Sequence, residues 1–198
     1  MVKTNALISF SKRNFKFFIM ALLALMYVTM SAQQGVSSLP STFTEDFNTL
    51  ANTGSTNTMS LSNWYVLKQA STPTITYATQ NGSTSSGNIY SVGTTGSTER
   101  ALGSVASGSA SPIYMGWRFV NNTGGPISAV EISLTAEQWR VGANTTNSVS
   151  FEIGIGAAGT FTGANPASGA TWTAYTALDL TNPVAAGSPR LPHPAPVS

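Results

Sequence analysis

"IYMGWRFVNNTGGPISAVEISLT", residues 113–135, carries the reading of the fold. Its first part sets Ile113, Met115, Trp117 and Phe119 on one side of an extended chain, with Tyr114, Arg118 and Val120 on the other. Its last part sets Val130, Ile132 and Leu134 against Glu131 and Ser133. Side chains alternate faces at every residue of a strand, so this pattern belongs to half-buried antiparallel strands. "NNTGGP", 121–126, has the turn residues and about the length for a hairpin between them. "SVSFEIGIG", 148–156, repeats the alternation, with Val149, Phe151, Ile153 and Ile155 on one face and Glu152 pointing outward.

Outward from these runs, weaker strands are expected at Phe43–Phe47, Trp64–Lys68, Thr74–Ala78, Asn88–Val92, Arg100–Ala106 and Trp172–Leu180. Polar turns separate them, as at 81–88 and 142–147. No stretch after residue 32 keeps a 3.6-residue period, which argues against helix. Many short strands joined by polar turns predict an all-β fold, an antiparallel β-sandwich or a barrel. The expected domain spans 43–184, after a linker at 33–42. The tail 185–198 is rich in proline, which lacks the donor a sheet ladder needs, so no central strand is expected there.

The formal charge of +2 comes from the first residues: Lys3, Lys12, Arg13 and Lys16. Beyond residue 32 five Lys or Arg face seven Asp or Glu, a formal −2. Such a body offers no basic patch, and nucleic acid is excluded as a partner. The basic start, the uncharged run 17–30 and "MSAQ" read as a signal-peptide helix over 1–32, cut after Ala32. The apolar run is short of the roughly 20 residues of a spanning helix, so no membrane contact is expected once the signal is removed. A retained N-terminal anchor is the alternative. No cysteine is present, which rules out disulfides, thiol nucleophiles and thiolate metal sites.

Catalytic constellations are scarce. The single histidine, His193, sits in the proline-rich tail, away from any rigid partner. One His and no Cys leave no zinc set, and no cofactor or metal is expected. Glu45 and Asp46 are adjacent, so a strand would point them apart. Glu99 with Glu137 is a conceivable pair for glycoside hydrolysis, but each has an arginine close by in sequence. Among the tryptophans, alternation assigns Trp117 to the core. Trp139 and Trp172, near turns, are the better platforms for stacking a sugar, with packing the more ordinary role.

The binding candidates are therefore Glu99, Arg100, Glu137, Trp139 and Arg140, in "STERALGS" and "AEQWRVG". In a chain with 8% charged residues these clusters stand out. Adjacent Glu99 and Arg100 would face opposite ways in a strand, and a bulge near 135–138 would account for the changed phase around Glu137 and Arg140. The preferred reading is a strut across strands, for instance Glu99 with Arg140. A site for a charged ligand is the alternative.

"FTEDFNTLANTGSTNT", "NWYVL", "GNIYSVGTTGSTERALGSVASGS", "GWRFVNNTGGPISAVEISLTAEQWRVG" and "WTAYTALDLTNP", in that order, resemble one domain. It is a jelly-roll-like β-sandwich near the start of secreted and cell-surface proteins of Gram-negative bacteria, some of which carry it before nuclease, lamin-tail or C-terminal sorting domains. The resemblance runs from about Thr42 to Val184 and implies no catalytic residues. Members continue into a Trp-Arg-rich strand and a stretch ending in Asp-Asp-Phe, which this chain lacks. The expectation is an incomplete sandwich with part of its apolar face uncovered. Together these readings give an exported, non-catalytic adhesion, binding or structural module, secreted or on the cell surface. Its ligand would be a carbohydrate or another surface protein. An accessory domain of a secreted hydrolase or nuclease is the rival.

Overall fold

The computed structural model describes residues 33–68, 76–141, 147–157 and 170–182, together with the backbone of 195–197. The expected signal peptide and the histidine of the tail lie outside these residues. The described chain is almost entirely strand and irregular connection. In order it forms β1 (Gln34–Val36), β2 (Asn57–Thr58), β3 (Trp64–Lys68), β4 (Thr76–Gln80), β5 (Asn88–Val92), β6 (Ala101–Val105) and β7 (Ile113–Trp117). There follow β8 (Phe119–Asn121), β9 (Ala136–Gln138), β10 (Ser148–Val149), β11 (Glu152–Ile155), β12 (Thr171–Ala174), β13 (Leu180–Thr181) and β14 (Ala195–Val197), with a 3-10 turn at Thr176–Leu178.

The strands pair in small sheets. A four-stranded sheet runs β2-β4-β5-β6, and β3 pairs antiparallel with β7, setting Trp64 opposite Trp117 and Val66 opposite Met115. One core cluster draws on both. Leu50, Leu61, Val66, Tyr77 and Ile89 are buried, and Trp64, Leu102, Ile113 and Met115 pack against them. Burying each large apolar side chain stabilises the fold by roughly 1.5–3 kcal/mol. β3 and β5 are covered on both faces: Tyr65, Val66 and Leu67 are buried in succession, as are Ile89, Tyr90, Ser91 and Val92. Such strands read as continuous apolar runs rather than alternating ones. Arg118 places its guanidinium 5.5 Å from the centre of the Tyr65 ring. Burial raises the Tyr65 phenol above its ordinary pKa, Arg118 opposing and Glu152 adding to the shift.

The all-β expectation holds, but its purely antiparallel form does not. β1 pairs in parallel with β8, and β4 in parallel with β5. Trp64–Lys68 and Asn88–Val92 form as read. "AVEISLT" does not: 127–135 is irregular, and no hairpin joins it to β8. Asn121 instead spends its amide locally, donating to the Gly125 carbonyl at 2.7 Å while its oxygen accepts from Thr123. Phe43–Phe47 is also irregular. The Glu45 carboxylate accepts the Phe47 N–H at 2.8 Å, and Asp46 does the same for Asn48 at 3.0 Å, which bends the chain into a turn. The stretch expected to bulge around 135–138 is instead the short strand β9, paired antiparallel with β14.

Burial is uneven along the chain. Among the described residues the buried apolar side chains all lie between Val36 and Ala110, whereas Trp117, Phe119, Val130, Leu134, Val149 and Ile155 are exposed. Ile113 and Met115 reach the core from the same face of β7 as Trp117, which lies at the strand's end. This unevenness yields a prediction for thermal or denaturant unfolding of the full chain. Leu50→Ala should cost about 2–5 kcal/mol, the range for a buried leucine. Leu134→Ala should stay within about 0.5 kcal/mol, as at an ordinary surface position. Equal losses would place Leu134 in a core.

Candidate functional site

The "STERALGS" motif ends the loop between β5 and β6. Thr94–Ser97 closes a turn, with the Ser97 N–H on the Thr94 carbonyl at 3.0 Å and Gly96 at φ 79°. The Ser97 hydroxyl then accepts the Glu99 N–H at 3.1 Å. Arg100 follows, and it folds inward instead of pointing to solvent. Its residue exposure is 3%, among the lowest of any charged group described.

The guanidinium lies across the parallel pair. Nε donates to the Ser91 hydroxyl at 2.8 Å, and Nη2 donates to the Ser91 carbonyl at 2.6 Å and the Gln80 carbonyl at 3.4 Å. Nη1 donates to the Thr94 carbonyl at 3.3 Å. The backbone N–H of Arg100 reaches the Asn48 side chain at 2.9 Å, tying the motif to the turn that Asp46 holds. All four guanidinium acceptors are neutral oxygens. Burial lowers the Arg100 pKa, and nearby Glu99, which is itself exposed, partly offsets the shift.

Two glycines make room for this arrangement. A side chain on Gly93 would collide with Arg100 Nη1 and the Glu99 carbonyl, so only glycine lets the guanidinium lie against β5's end. Gly82, at φ 86°, begins the return from β4 to β5, and a side chain there would collide with the Trp139 carbonyl. The two charged motifs thus meet on either side of the Asn81–Thr84 turn. Arg100 and that turn also border a polar cavity of about 260 Å³, lined by Asn52, Thr79, Gln80, Asn81, Ser83, Thr84, Gly93, Thr95 and Arg100.

The expected Glu99–Arg140 strut is replaced by a different one. Arg100 is the buried arginine, and backbone carbonyls take the place of a carboxylate. Glu137 accepts the Trp139 indole N–H at 2.7 Å, and Arg140 contributes its carbonyl to the Gln138 side chain at 3.0 Å. Trp139 is half-buried, with its indole held by Glu137. Trp172 lies directly over Gly154 on the paired strand, at 2.8 Å from where a side chain would begin, so its face packs on backbone. Neither of these two tryptophans forms an open platform.

Trp117, read as core, is the exposed one. It lies 5.4 Å from Phe119, the two rings nearly parallel at 29°, and 5.5 Å from Phe43. The exposures of Phe43, Trp117 and Phe119 are 44%, 36% and 37%. Alternation grouped Trp117 and Phe119 correctly on one face. It could not tell that the face outruns its cover. Among the described residues no group of three His, Cys, Asp or Glu could hold a metal, and no helix is long and apolar enough to cross a membrane. Comparison with known protein families, curated proteins and solved structures found no match to this chain.

The geometry separates the two arginines of the motifs. Arg100→Ala would take the guanidinium from the buried Ser91 hydroxyl and carbonyl, at about 1–3 kcal/mol each, so a loss of at least about 2 kcal/mol is expected. Arg140→Ala should cost under about 1 kcal/mol, as for a surface charge. Melting curves of the two variants check this, and reversal of their order would restore Arg140 as the strut.

Proposed function

We propose that this chain is an exported, non-catalytic binding module, built as a jelly-roll-like sandwich and displayed by a secreted or cell-surface protein. Carbohydrate is its favoured ligand class. The observation that carries the reading is the Phe43–Trp117–Phe119 row, three half-exposed rings in which Trp117 contacts each phenylalanine. Aromatic faces of this kind stack on the C–H faces of sugar rings and exclude water from them. The resemblance of "STERALGS" and "AEQWRVG" to the secreted bacterial domain supports the export and the fold. The slightly acidic body supports a neutral ligand over a nucleic acid.

A second reading has its own observation. Val130, Leu134, Val149 and Ile155 are exposed by 56%, 47%, 54% and 74%. Apolar side chains left in water favour association with another protein surface, as expected for a module whose apolar face is not fully covered.

Affinity electrophoresis through gels containing soluble polysaccharides separates the readings. On the carbohydrate reading at least one neutral glycan retards the protein. Trp117→Ala then weakens that retardation by roughly two- to tenfold, the equivalent of one aromatic contact, while melting changes little. Retardation by no glycan, with a mass by light scattering that rises with protein concentration, would replace the sugar with a protein partner.

A further inference from the structure

We propose that the cavity beside Arg100 is a second binding site, separate from the aromatic row, for a small polyhydroxylated carboxylate of the hexuronic acid class. The first ground is charge. Arg100 is buried, and every acceptor on its guanidinium is a neutral oxygen. Buried charges are ordinarily bonded to a countercharge; among the described residues no carboxylate bonds this guanidinium, and exposed Glu99 acts on it only through space. A guanidinium has five N–H groups. Among the described residues, the bonds to Ser91, Gln80 and Thr94 use all but one, on Nη1. A ligand carboxylate beside Nη1 would take that donor and supply the countercharge.

The second ground is the lining. The cavity, at about 260 Å³, falls just below the roughly 300–1,000 Å³ of sites for drug-sized ligands, which suits one small molecule. Thr95 Oγ1 already accepts from Asn81 at 2.9 Å, and Thr84 Oγ1 accepts from the Ser86 N–H at 3.2 Å. Each hydroxyl proton remains to be donated. Among the described residues the Asn52 amide takes part in no hydrogen bond, and it lines the cavity able both to donate and to accept. Such a wall answers hydroxyl groups as well as a carboxylate. Acetate would meet the charge but leave the amide unanswered. A neutral hexose would meet the amide but leave the charge.

Calorimetric titration of the full chain with glucuronate, glucose and acetate tests the proposal. Glucuronate should bind at least about tenfold more tightly than either of the others. Asn52→Ala should weaken glucuronate by about fivefold or more with an unchanged melting curve, because that amide bonds to none of the described residues. Trp117→Ala should leave glucuronate binding intact whatever it does to polysaccharide binding. The proposal is overturned if glucuronate fails to bind at about 10 mM, or if glucose or acetate comes within about tenfold of it. It is equally overturned if Asn52→Ala binds as the parent does, or if Trp117→Ala abolishes glucuronate binding.

Discussion

A single guanidinium holds together the least ordinary part of this fold. β4 and β5 run parallel, yet only residues 81–87 connect them. Parallel neighbours commonly need a crossover of about a dozen residues or more, because the chain must return to the starting end before pairing. A fully extended stretch of this length reaches roughly 24 Å, enough for the return but with little slack. The pair therefore has few strand residues to stabilise it, and its register extends over Ala78–Gln80 and Tyr90–Val92 alone. Arg100 adds bonds across the pair at its far end, to Gln80 on one strand and Ser91 on the other. The Gly93 N–H reinforces them on the same Gln80 carbonyl, at 3.0 Å.

That clamp explains the burial of a charge in a chain so poor in charge. A carboxylate in its place would need a donor set that β4 and β5 do not present, and a lysine would offer fewer directed N–H groups. The planar fork reaches a hydroxyl and three carbonyls at once. It also fixes what lies around it. The return from β4 must turn at Gly82, Gly93 must lack a side chain, and the space between return and clamp becomes the polar cavity. The core then forms beneath, where Tyr77 and Ile89 of the clamped strands meet Val66 and Leu50.

The strands easiest to find in the sequence are not the ones buried on both faces. "WYVL" and "IYSV" are short continuous runs, and they proved to be the doubly covered strands. Alternation, the stronger signal, pointed to 113–120 and 129–135. The first formed, broken at Arg118; the second is irregular. Period-2 patterning reports which side chains could share a face, and says nothing about whether a partner strand is there to hold it. Trp117 illustrates the difference, since its face was read correctly and its exposure was not. Glu99, Arg100, Glu137, Trp139 and Arg140 were legible as unusual residues because the background is so neutral. Their partners were not legible. Backbone carbonyls carry no mark in a sequence, so only carboxylates stand out there as partners for an arginine. The indole bond of Trp139 to Glu137, two residues apart, follows the alternation rule and could have been read from it.

The side-chain N–H of Arg100 reports on the clamp directly. In a buried guanidinium held by the Ser91 hydroxyl, Nε–H exchange with water is slowed by the opening of the surrounding strands. Nitrogen-resolved NMR of the arginine side chains in heavy water measures it residue by residue. The Arg100 Nε–H signal should outlast that of Arg140 by at least about a hundredfold, a small fraction of the protection that core amides reach. Exchange of Arg100 as fast as that of Arg140 would contradict it, and the parallel pair would then need another source of stability.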